Sequence, residues 1–356
     1  MKIKLIRVAS GYDGKKCRVH ARVARAPGLS VMTAQYLDVS GSDLFGGIMS
    51  AVSLDGEHFS TLREEPTLRP IKLRGRVRVG CDATPLYHAP SGKLLLIGQT
   101  ADYTPDAKRP IGDVRFTFYS VYDGERGGFG EMRFLEMPEG FSNSGNGSGQ
   151  SVVLDNGEIL IPIYYRAGER YASTVMRCAF DGESLSLIEL GSSHSIDIER
   201  GICEPSIIRH RDKFYMTVRN DLTGYILESD DGLHYYGMRE WLFDDGESVG
   251  NYNTQQHFMI LGGELYLVYT RRGADNDHVF RHRAPLFAAR VEDMRLVRSS
   301  EQVVIPERGA RLGNFGAESY PDGRAAVMAA EWMQPSGCER YGSDNSIYLA
   351  LIEPDK

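Results

Sequence analysis

The sequence lacks the features that mark several large classes of protein. Its five cysteines are widely scattered, odd in number and free of any C-x-x-C spacing, which argues against a disulfide framework or a zinc site. It has no apolar run of about 18 residues that could span a membrane. The start, MKIKLIRVASGYDGKK, has no apolar core of the kind found in secretory leaders. We therefore expect a soluble protein, cytoplasmic or a mature form with its leader removed.

An excess of positive charge is also missing. The 41 lysines and arginines are outnumbered by 48 aspartates and glutamates, so the formal net charge is -7. A chain of this kind has no overall field to gather nucleic acid or an anionic membrane surface. We expect neither partner. With 42% hydrophobic residues, 356 positions can still bury a large core.

Long helical patterns are absent, and short apolar runs instead alternate around tight turns. Turn pairs such as Asn156-Gly157, Gly262-Gly263 and Asp322-Gly323 supply the positive φ that β-hairpins need. Six hairpins are predicted, centred on Gly28, Gly92, Gly157, Asp212, Gly263 and Gly323. This spacing, near one sixth of the chain, predicts a six-bladed β-propeller with four-stranded antiparallel blades, forming one domain over residues 1–356.

The two ends of the chain complete this prediction. MKIKLIRVA at the start has no preceding hairpin, and SIYLALIE (Ser346–Glu353) has no following one. Pairing these two strands in one blade would close the ring and satisfy both edges.

Two seven-residue turns are near twins, SLDGEHF (Ser53–Phe59) and SDDGLHY (Ser229–Tyr235), with weaker copies at Ser120–Gly124 and Phe180–Ser184. Each twin follows its hairpin by about twenty residues, where a third strand would turn into a fourth. These turns resemble the Asp boxes of sialidases and related BNR-repeat proteins. The resemblance implies a sialidase-like propeller that acts on a glycan, although Asp boxes also occur in propellers without activity.

Polar residues occupy the places where a propeller gathers side chains at one mouth of its channel. The starts of the predicted first strands provide His20, Arg22, Asp82, Gln150, Glu204, Gln256, His257 and Asn314. The ends of the second strands provide Gln35, Gln99, Tyr165, Arg166, Arg219, Arg271, Arg272 and Glu331. Burying such groups together is costly unless they satisfy one another, as in a hydrogen-bonded plug, or unless the hollow binds a ligand.

The sialidase resemblance implies roles for some of these residues. Glu204 and Arg219 resemble the family's E-x(n)-R pair, in which the glutamate activates a tyrosine nucleophile and the arginine grips the substrate carboxylate. Tyr341 is then the candidate nucleophile, and Asp43 or Asp82 the acid/base. The carboxylate clamp would consist of Arg22, Arg219, Arg281 and Arg283. Arg22 stands where the family has R-I-P, but the sequence here reads Arg-Val-Ala. No cofactor or metal is implied.

Histidines support a second hypothesis. NTQQHF and the segments around it resemble a group of bacterial sialidase-like proteins whose activities are mostly unassigned. They place His257, His278 and His282 near the channel, with His20 opposite. A histidine or tyrosine could remove the C5 proton of a uronic acid while arginine neutralises its carboxylate.

Three functions therefore stay open. The first is an exo-acting glycoside hydrolase for a terminal acidic sugar of a glycan. The second is a polysaccharide lyase acting on a uronic acid, and the third is a carbohydrate-binding propeller without turnover. Gln150, Gln256 and His282 are candidate substrate contacts.

Overall fold

Antiparallel hairpins build the fold, as the alternating apolar runs predict. The computed structural model describes residues 1–41, 43–112, 114–141, 143–147 and 149–355. Within these residues the strands form six antiparallel sheets, numbered here in chain order. Four short 3₁₀ helices connect strands, at Pro66–Leu68, Phe280–His282, Arg298–Ser300 and Cys338–Tyr341. No helix in the described part of the chain is long and apolar enough to cross a membrane.

The first strand, β1 (Lys2–Ala9), joins the last sheet, and three sheets follow it in the chain. Sheet 1, in the order β2-β3-β4-β5, contains β2 (Lys16–Ala26), β3 (Leu29–Asp38), β4 (Leu44–Ser53) and β5 (Arg63–Glu64). Sheet 2 contains β6 (Ile71–Leu73), β7 (Arg76–His88), β8 (Lys93–Tyr103), β9 (Pro110–Ile111), β10 (Thr117–Asp123), β11 (Gly128–Phe129) and β12 (Arg133–Phe134). Sheet 3 contains β13 (Ser144–Gly145), β14 (Val152–Val153), β15 (Ile159–Ala167), β16 (Arg170–Phe180) and β17 (Leu185–Leu190).

The remaining sheets complete the chain. Sheet 4, in the order β18-β19-β20-β21, contains β18 (Cys203–His210), β19 (Lys213–Arg219), β20 (Gly224–Ser229) and β21 (Tyr235–Glu240). Sheet 5 contains β22 (His257–Leu261), β23 (Glu264–Tyr269), β24 (Leu286–Glu292), β25 (Arg295–Leu296) and β26 (Gln302–Ile305). Sheet 6 contains β27 (Phe315–Ser319), β28 (Ala325–Ala330) and β29 (Ile347–Glu353), and β1 pairs with β29 from Lys2–Glu353 to Ala9–Ile347. The predicted closure by the two ends of the chain is confirmed.

The predicted hairpins are present, but the prediction of six blades with four strands each is wrong. Five of the sheets run through four strands along their main path. Sheet 2 instead runs through five, in the order β11-β10-β8-β7-β6, and β9 and β12 pair alongside this path. The additional strands are only two or three residues long. Such short segments have no alternation for sequence reasoning to detect.

Apolar clusters lie between neighbouring sheets all the way round the ring. Because adjacent residues of a strand point to opposite faces, Leu95 of β8 packs toward sheet 3 while Leu96 packs toward sheet 1. Similarly, Leu160 of β15 faces sheet 4 and Ile161 faces sheet 2. Two-sided burial explains why these strands read as continuous apolar runs. Apolar packing on both faces of each sheet also establishes that the sheets are arranged radially around an axis, toward which polar groups point.

The twin turns adopt one hydrogen-bonded structure between a third and a fourth strand. Gly232 N donates to Ser229 Oγ at 2.9 Å, and Leu233 N and His234 N both donate to Asp231 Oδ1 at 2.8 Å. The turn at Ser53–Phe59 repeats these bonds with Asp55 as the acceptor. Asp123 and Asp181 accept two backbone N–H groups each in the weaker copies. These aspartates therefore stabilise turns at the outer edges of their sheets.

We expect Asp231→Ala to lower the free energy of unfolding by about 1–2 kcal/mol, since two backbone donors lose a charged acceptor. Although burial acts to raise the pKa of Asp231, hydrogen bonds from His234 and Leu233 hold it below its usual range. The contribution of Asp231 should thus be complete above the unfolded-state pKa of about 3.9 and fade as the pH falls below it. Urea denaturation at several pH values measures both effects, with the exposed Glu125→Ala as control. Equal stability of the two variants would contradict the assignment.

Candidate functional site

A cavity of about 720 Å³ opens at one end of the propeller axis and is lined from all six sheets or the loops beside them. It lies where the first strands start and the second strands end, as the sequence predicts. Nine of the predicted residues line it, namely His20, Asp43, Asp82, Gln99, Glu204, Arg219, Arg281, Arg283 and Asn314. Their placement here brings them together, and their roles remain proposals.

Three of these residues reach the cavity through the same local distortion. His20, Asp82 and Glu204 have positive φ values of 55°, 52° and 52°. Each lies at a register shift in an inner strand, between Val19 and Arg22 in β2, between Cys81 and Thr84 in β7, and between Cys203 and Ser206 in β18. Such bulges re-aim a side chain, and left-handed backbone at a non-glycine residue costs roughly 1–3 kcal/mol. The shared distortion turns one polar group from each strand toward the axis.

His20 and Asp82 form one polar pair in the cavity. His20 Nε2 lies 3.1 Å from Asp82 Oδ1, and Gln99 Nε2 donates to Asp82 Oδ2 at 3.0 Å. The imidazole packs against Phe45 and Trp332, with ring centroids 4.9 and 5.5 Å away. Burial lowers the pKa of His20, and the Asp82 carboxylate opposes that shift. His20 is therefore largely neutral at neutral pH and can accept a proton.

Glu204 and Arg219 form the second pair. Arg219 Nε and Nη2 each donate to one oxygen of Glu204 at 2.7 Å, a bidentate contact. Arg219 Nη1 also donates to Asp221 at 3.0 Å. Burial acts to raise the pKa of Glu204, but Arg219 holds it below its usual range. Glu204 is consequently ionised and strongly bound to its partner.

Three further arginines crowd the side of the cavity formed by sheets 5 and 6. Within the described residues, Arg281, Arg283 and Arg311 form no ion pair, and their hydrogen bonds go to neutral oxygens of Asn253 and Gln334. Burial and the charges of Arg219 and Arg311 lower the pKa of Arg283 to about 9. Arg311 also has a buried Nε that no described residue pairs with. The arrangement can receive an anion.

Other predicted residues lie beneath the cavity as a hydrogen-bonded plug. Arg22 is buried and donates to the carbonyl oxygens of Phe315 and Ala83 at 3.1 Å, so it does not line the cavity. His257 Nδ1 bonds to Ser206 Oγ at 2.7 Å.

The two predicted glutamines also belong to this plug. Gln150 links Phe258 to Ala317, and Gln256 Oε1 accepts from Thr217 Oγ1 at 2.7 Å. Arg22, Gln150, Gln256 and His257 therefore join sheets to one another through these hydrogen bonds.

The predicted pairing of Tyr341 with Glu204 is not present. Tyr341 is 43% exposed, outside the set of residues lining the cavity, and packs on His278 with ring centroids 4.6 Å apart. His278 pairs with Glu307 at 3.1 Å. His282 bonds to Tyr252 Oη at 2.6 Å instead of lining the cavity. Loop packing, which sequence spacing does not reveal, carries these residues away from the axis.

Sequence reasoning missed several lining residues by a single position. Tyr164, Gln255 and Trp332 line the cavity where their neighbours Tyr165, Gln256 and Glu331 were predicted. A shift of one residue moves a side chain to the opposite face of a strand, so the strand ends had to be placed without error. Arg115 and Arg311 lie in irregular segments and carry no signal in the sequence. Among the described residues, no cluster of histidine, cysteine and acidic side chains is arranged to bind a metal.

Solved sialidase structures share this fold at low sequence identity. The sialidase of Trypanosoma rangeli superposes with a TM-score of 0.66 at 15% identity, over 99% of this chain and 59% of that one. The NanB sialidase of Streptococcus pneumoniae gives a TM-score of 0.66 at 10% identity, over 99% of this chain and 70% of that one.

A leech intramolecular trans-sialidase, solved with 2,7-anhydro-Neu5Ac, gives a TM-score of 0.62 at 11% identity, over 97% of this chain and 68% of that one. No protein-family model and no curated protein matches the sequence. The likeness shows a sialidase-like β-propeller fold, and this chain spans only about 59% of the Trypanosoma rangeli sialidase.

The environment of His20 predicts its titration. We expect NMR to give His20 a pKa below 6.5, since burial disfavours its charged form, and Asp82→Asn to lower that pKa further by removing a stabilising anion. His234, whose pKa is raised by its bond to Asp231, should titrate above 6.5 and stay unchanged in the variant. A rise in the His20 pKa on Asp82→Asn would contradict the pairing.

Proposed function

We propose that this protein is a sialidase-like glycoside hydrolase that removes a terminal acidic sugar from a glycan bound in the axial cavity. The observation that carries the proposal is the group of three arginines in a concave site, Arg281, Arg283 and Arg311, which form no ion pair with any described residue and donate only to neutral oxygens. A guanidinium presents parallel N–H groups that match a carboxylate, and its charge is expensive to bury without a partner. A bound carboxylate would supply that partner.

Arg219 contributes to this proposal differently from the sequence-based expectation. Its fork is occupied by Glu204, so it positions the glutamate and adds positive potential beside Arg283. Arg22 is bonded to backbone oxygens below the cavity and takes no part in the clamp. The proposed clamp is therefore Arg281, Arg283 and Arg311.

The catalytic groups can be assigned from the same geometry. Asp43, in the turn between β3 and β4, lines the cavity and its charge acts on Arg311, and we assign it the protonation of the leaving oxygen of a sugar held there. Tyr164 also lines the cavity. Burial is the main cause that raises the pKa of Tyr164, and the nearby Glu204 carboxylate acts in the same direction. We assign Tyr164 as the nucleophile in place of Tyr341, with Glu204 drawing off its proton.

The His20–Asp82 pair favours a second candidate, a uronate lyase. A neutral buried imidazole 3.1 Å from a carboxylate is built to take a proton, and arginines beside it would stabilise the charge formed on a uronate carboxylate. The two reactions differ in product, because elimination leaves an unsaturated sugar that absorbs in the ultraviolet and hydrolysis does not.

We expect Arg311→Gln to lower kcat/KM on carboxylate-bearing glycosides by about a hundredfold, since a desolvated charge contact to the substrate is lost. A panel of acidic and neutral glycosides, read for released sugar, measures the effect. The control Arg133→Gln removes an equal charge from an exposed pair with Glu183, outside the cavity, and should leave turnover unchanged. Equal turnover by the wild-type protein, Arg311→Gln and Arg133→Gln would contradict the proposed clamp.

Two further variants distinguish hydrolysis from elimination. If the protein is a hydrolase, Tyr164→Phe should abolish release of the sugar, and His20→Gln should slow it by about tenfold through loss of packing and of the contact to Asp82. If it is a lyase, His20→Gln should abolish the gain in ultraviolet absorbance. Monitoring both signals on one glycan panel decides between them.

A further inference from the structure

The cavity has a second arginine wall, on the side formed by sheets 2, 3 and 4. Arg115, just before β10, and Arg200, just before β18, both line the cavity. Tyr171 connects them, since its backbone N donates to Arg200 O at 2.9 Å and its ring centroid lies 5.8 Å from the Arg115 guanidinium carbon. This pair is called the Arg115 wall below.

Arg115 is held by aromatic faces. Its guanidinium carbon lies 4.7 Å from the centroid of the Tyr164 ring, as well as near Tyr171. Such contacts fix the plane of a guanidinium but use none of its N–H groups. Among the described residues, no acceptor bonds to Arg115 Nη1, which is buried. A desolvated donor of this kind costs free energy until an acceptor arrives.

Small residues make room for this arrangement. A Cβ atom at Gly145 would lie 2.6 Å from Gln99 Oε1 and 2.8 Å from Arg115 Cδ. One at Gly147 would lie 2.7 Å from the Tyr164 ring. The two glycines therefore let Arg115, Gln99 and Tyr164 converge on one point of the cavity wall.

Arg200 adds a second incompletely satisfied guanidinium. Its Nη1 is 3.4 Å from both carboxylate oxygens of Asp221, a long contact, and its Nε is buried without a partner in the described part of the chain. Both members of the Arg115 wall thus keep donors that a ligand could engage.

The Arg115 wall is separate from the clamp of Arg281, Arg283 and Arg311. Its members adjoin sheets 2 and 4, whereas the clamp arginines adjoin sheets 5 and 6. A cavity of about 720 Å³ is within the range of small-ligand sites and large enough for more than one sugar.

We propose that the Arg115 wall is a second anion subsite, so that the cavity accepts a glycan with two acidic groups, one against each set of arginines. The inference rests on the proposed function, because both subsites would hold one substrate. The second group is a carboxylate on the adjoining sugar or a sulfate ester, since both offer the paired oxygens that a guanidinium fork binds.

Calorimetric binding of three disaccharides tests this directly. The probes are galacturonate linked to a neutral sugar, the same compound sulfated on the neutral sugar, and digalacturonate. At least one of the two doubly acidic probes should bind about tenfold more tightly than the singly acidic one, the gain of one charge-assisted contact. The probe that binds more tightly identifies the second acidic group as a sulfate or a carboxylate.

Variants of Arg115 test whether this residue causes the tighter binding of the doubly acidic probes. Arg115→Gln should remove the preference for doubly acidic probes and leave binding of the singly acidic one within about twofold. Arg115→Lys, which keeps the charge but loses the fork, should retain part of the preference and the unaltered melting temperature, so that misfolding is distinguished from loss of a contact. The exposed Arg133→Gln is the matched control.

The outcomes are distinct for the two proposals. Equal binding of all three probes, or equal weakening of all three by Arg115→Gln, would overturn the second subsite while turnover of acidic glycosides could still stand. A preference that depends on Arg115, without any released or unsaturated sugar, would support the subsite and overturn the enzyme. No binding of any probe would overturn both.

Discussion

Left-handed backbone in the innermost strands is the constraint on which the site depends. A regular strand would direct His20, Asp82 and Glu204 into the apolar layers between sheets, where unpaired polar groups are costly. The bulges at these positions turn the side chains toward the axis instead. Their strain, roughly 1–3 kcal/mol at each residue, is sustained by long hairpin ladders and by the clusters on both faces of the strands.

Those bulges also organise the charges of the cavity. The central acids are satisfied within the protein, Asp82 by His20 and Gln99, and Glu204 by Arg219. Arg115, Arg200 and Arg311 around them each keep a buried donor that no described residue pairs with, so the hollow is locally positive although the whole chain carries a net charge of -7. A local field of this kind attracts an anionic ligand to one place. The net charge of the whole chain therefore does not reveal what the cavity binds.

Much of the fold can be predicted from the sequence because the patterns that indicate it are local. Hairpin turns around glycine, alternating apolar runs and the twin aspartate turns each need only a few neighbouring residues. The strands of two or three residues in sheet 2 are set by tertiary packing and leave no pattern.

The candidate site is harder to predict, for reasons visible at single positions. Glu331, predicted beside β28, is one residue before the lining residue Trp332, and Tyr165, predicted in β15, is one residue after the lining residue Tyr164. A feature common to the bulged strands could have helped. Val19-His20-Ala21, Cys81-Asp82-Ala83 and Cys203-Glu204-Pro205 each place an acid or imidazole between an apolar residue and a small or cyclic one.

The twin aspartate turns, which indicate the fold, lie in a different part of each sheet from the residues that would act on a substrate. Asp55 and Asp231 stabilise turns between third and fourth strands, and both are outside the cavity lining. Their chemistry would be the same in a catalyst and in a simple binding protein. The departures from the sialidase pattern, with Arg22 bonded to the backbone below the cavity and Tyr341 exposed outside its lining, therefore weigh more on function than the shared turns do. A sialidase-like scaffold whose proposed carboxylate clamp lies on sheets 5 and 6 is compatible with a different acidic sugar.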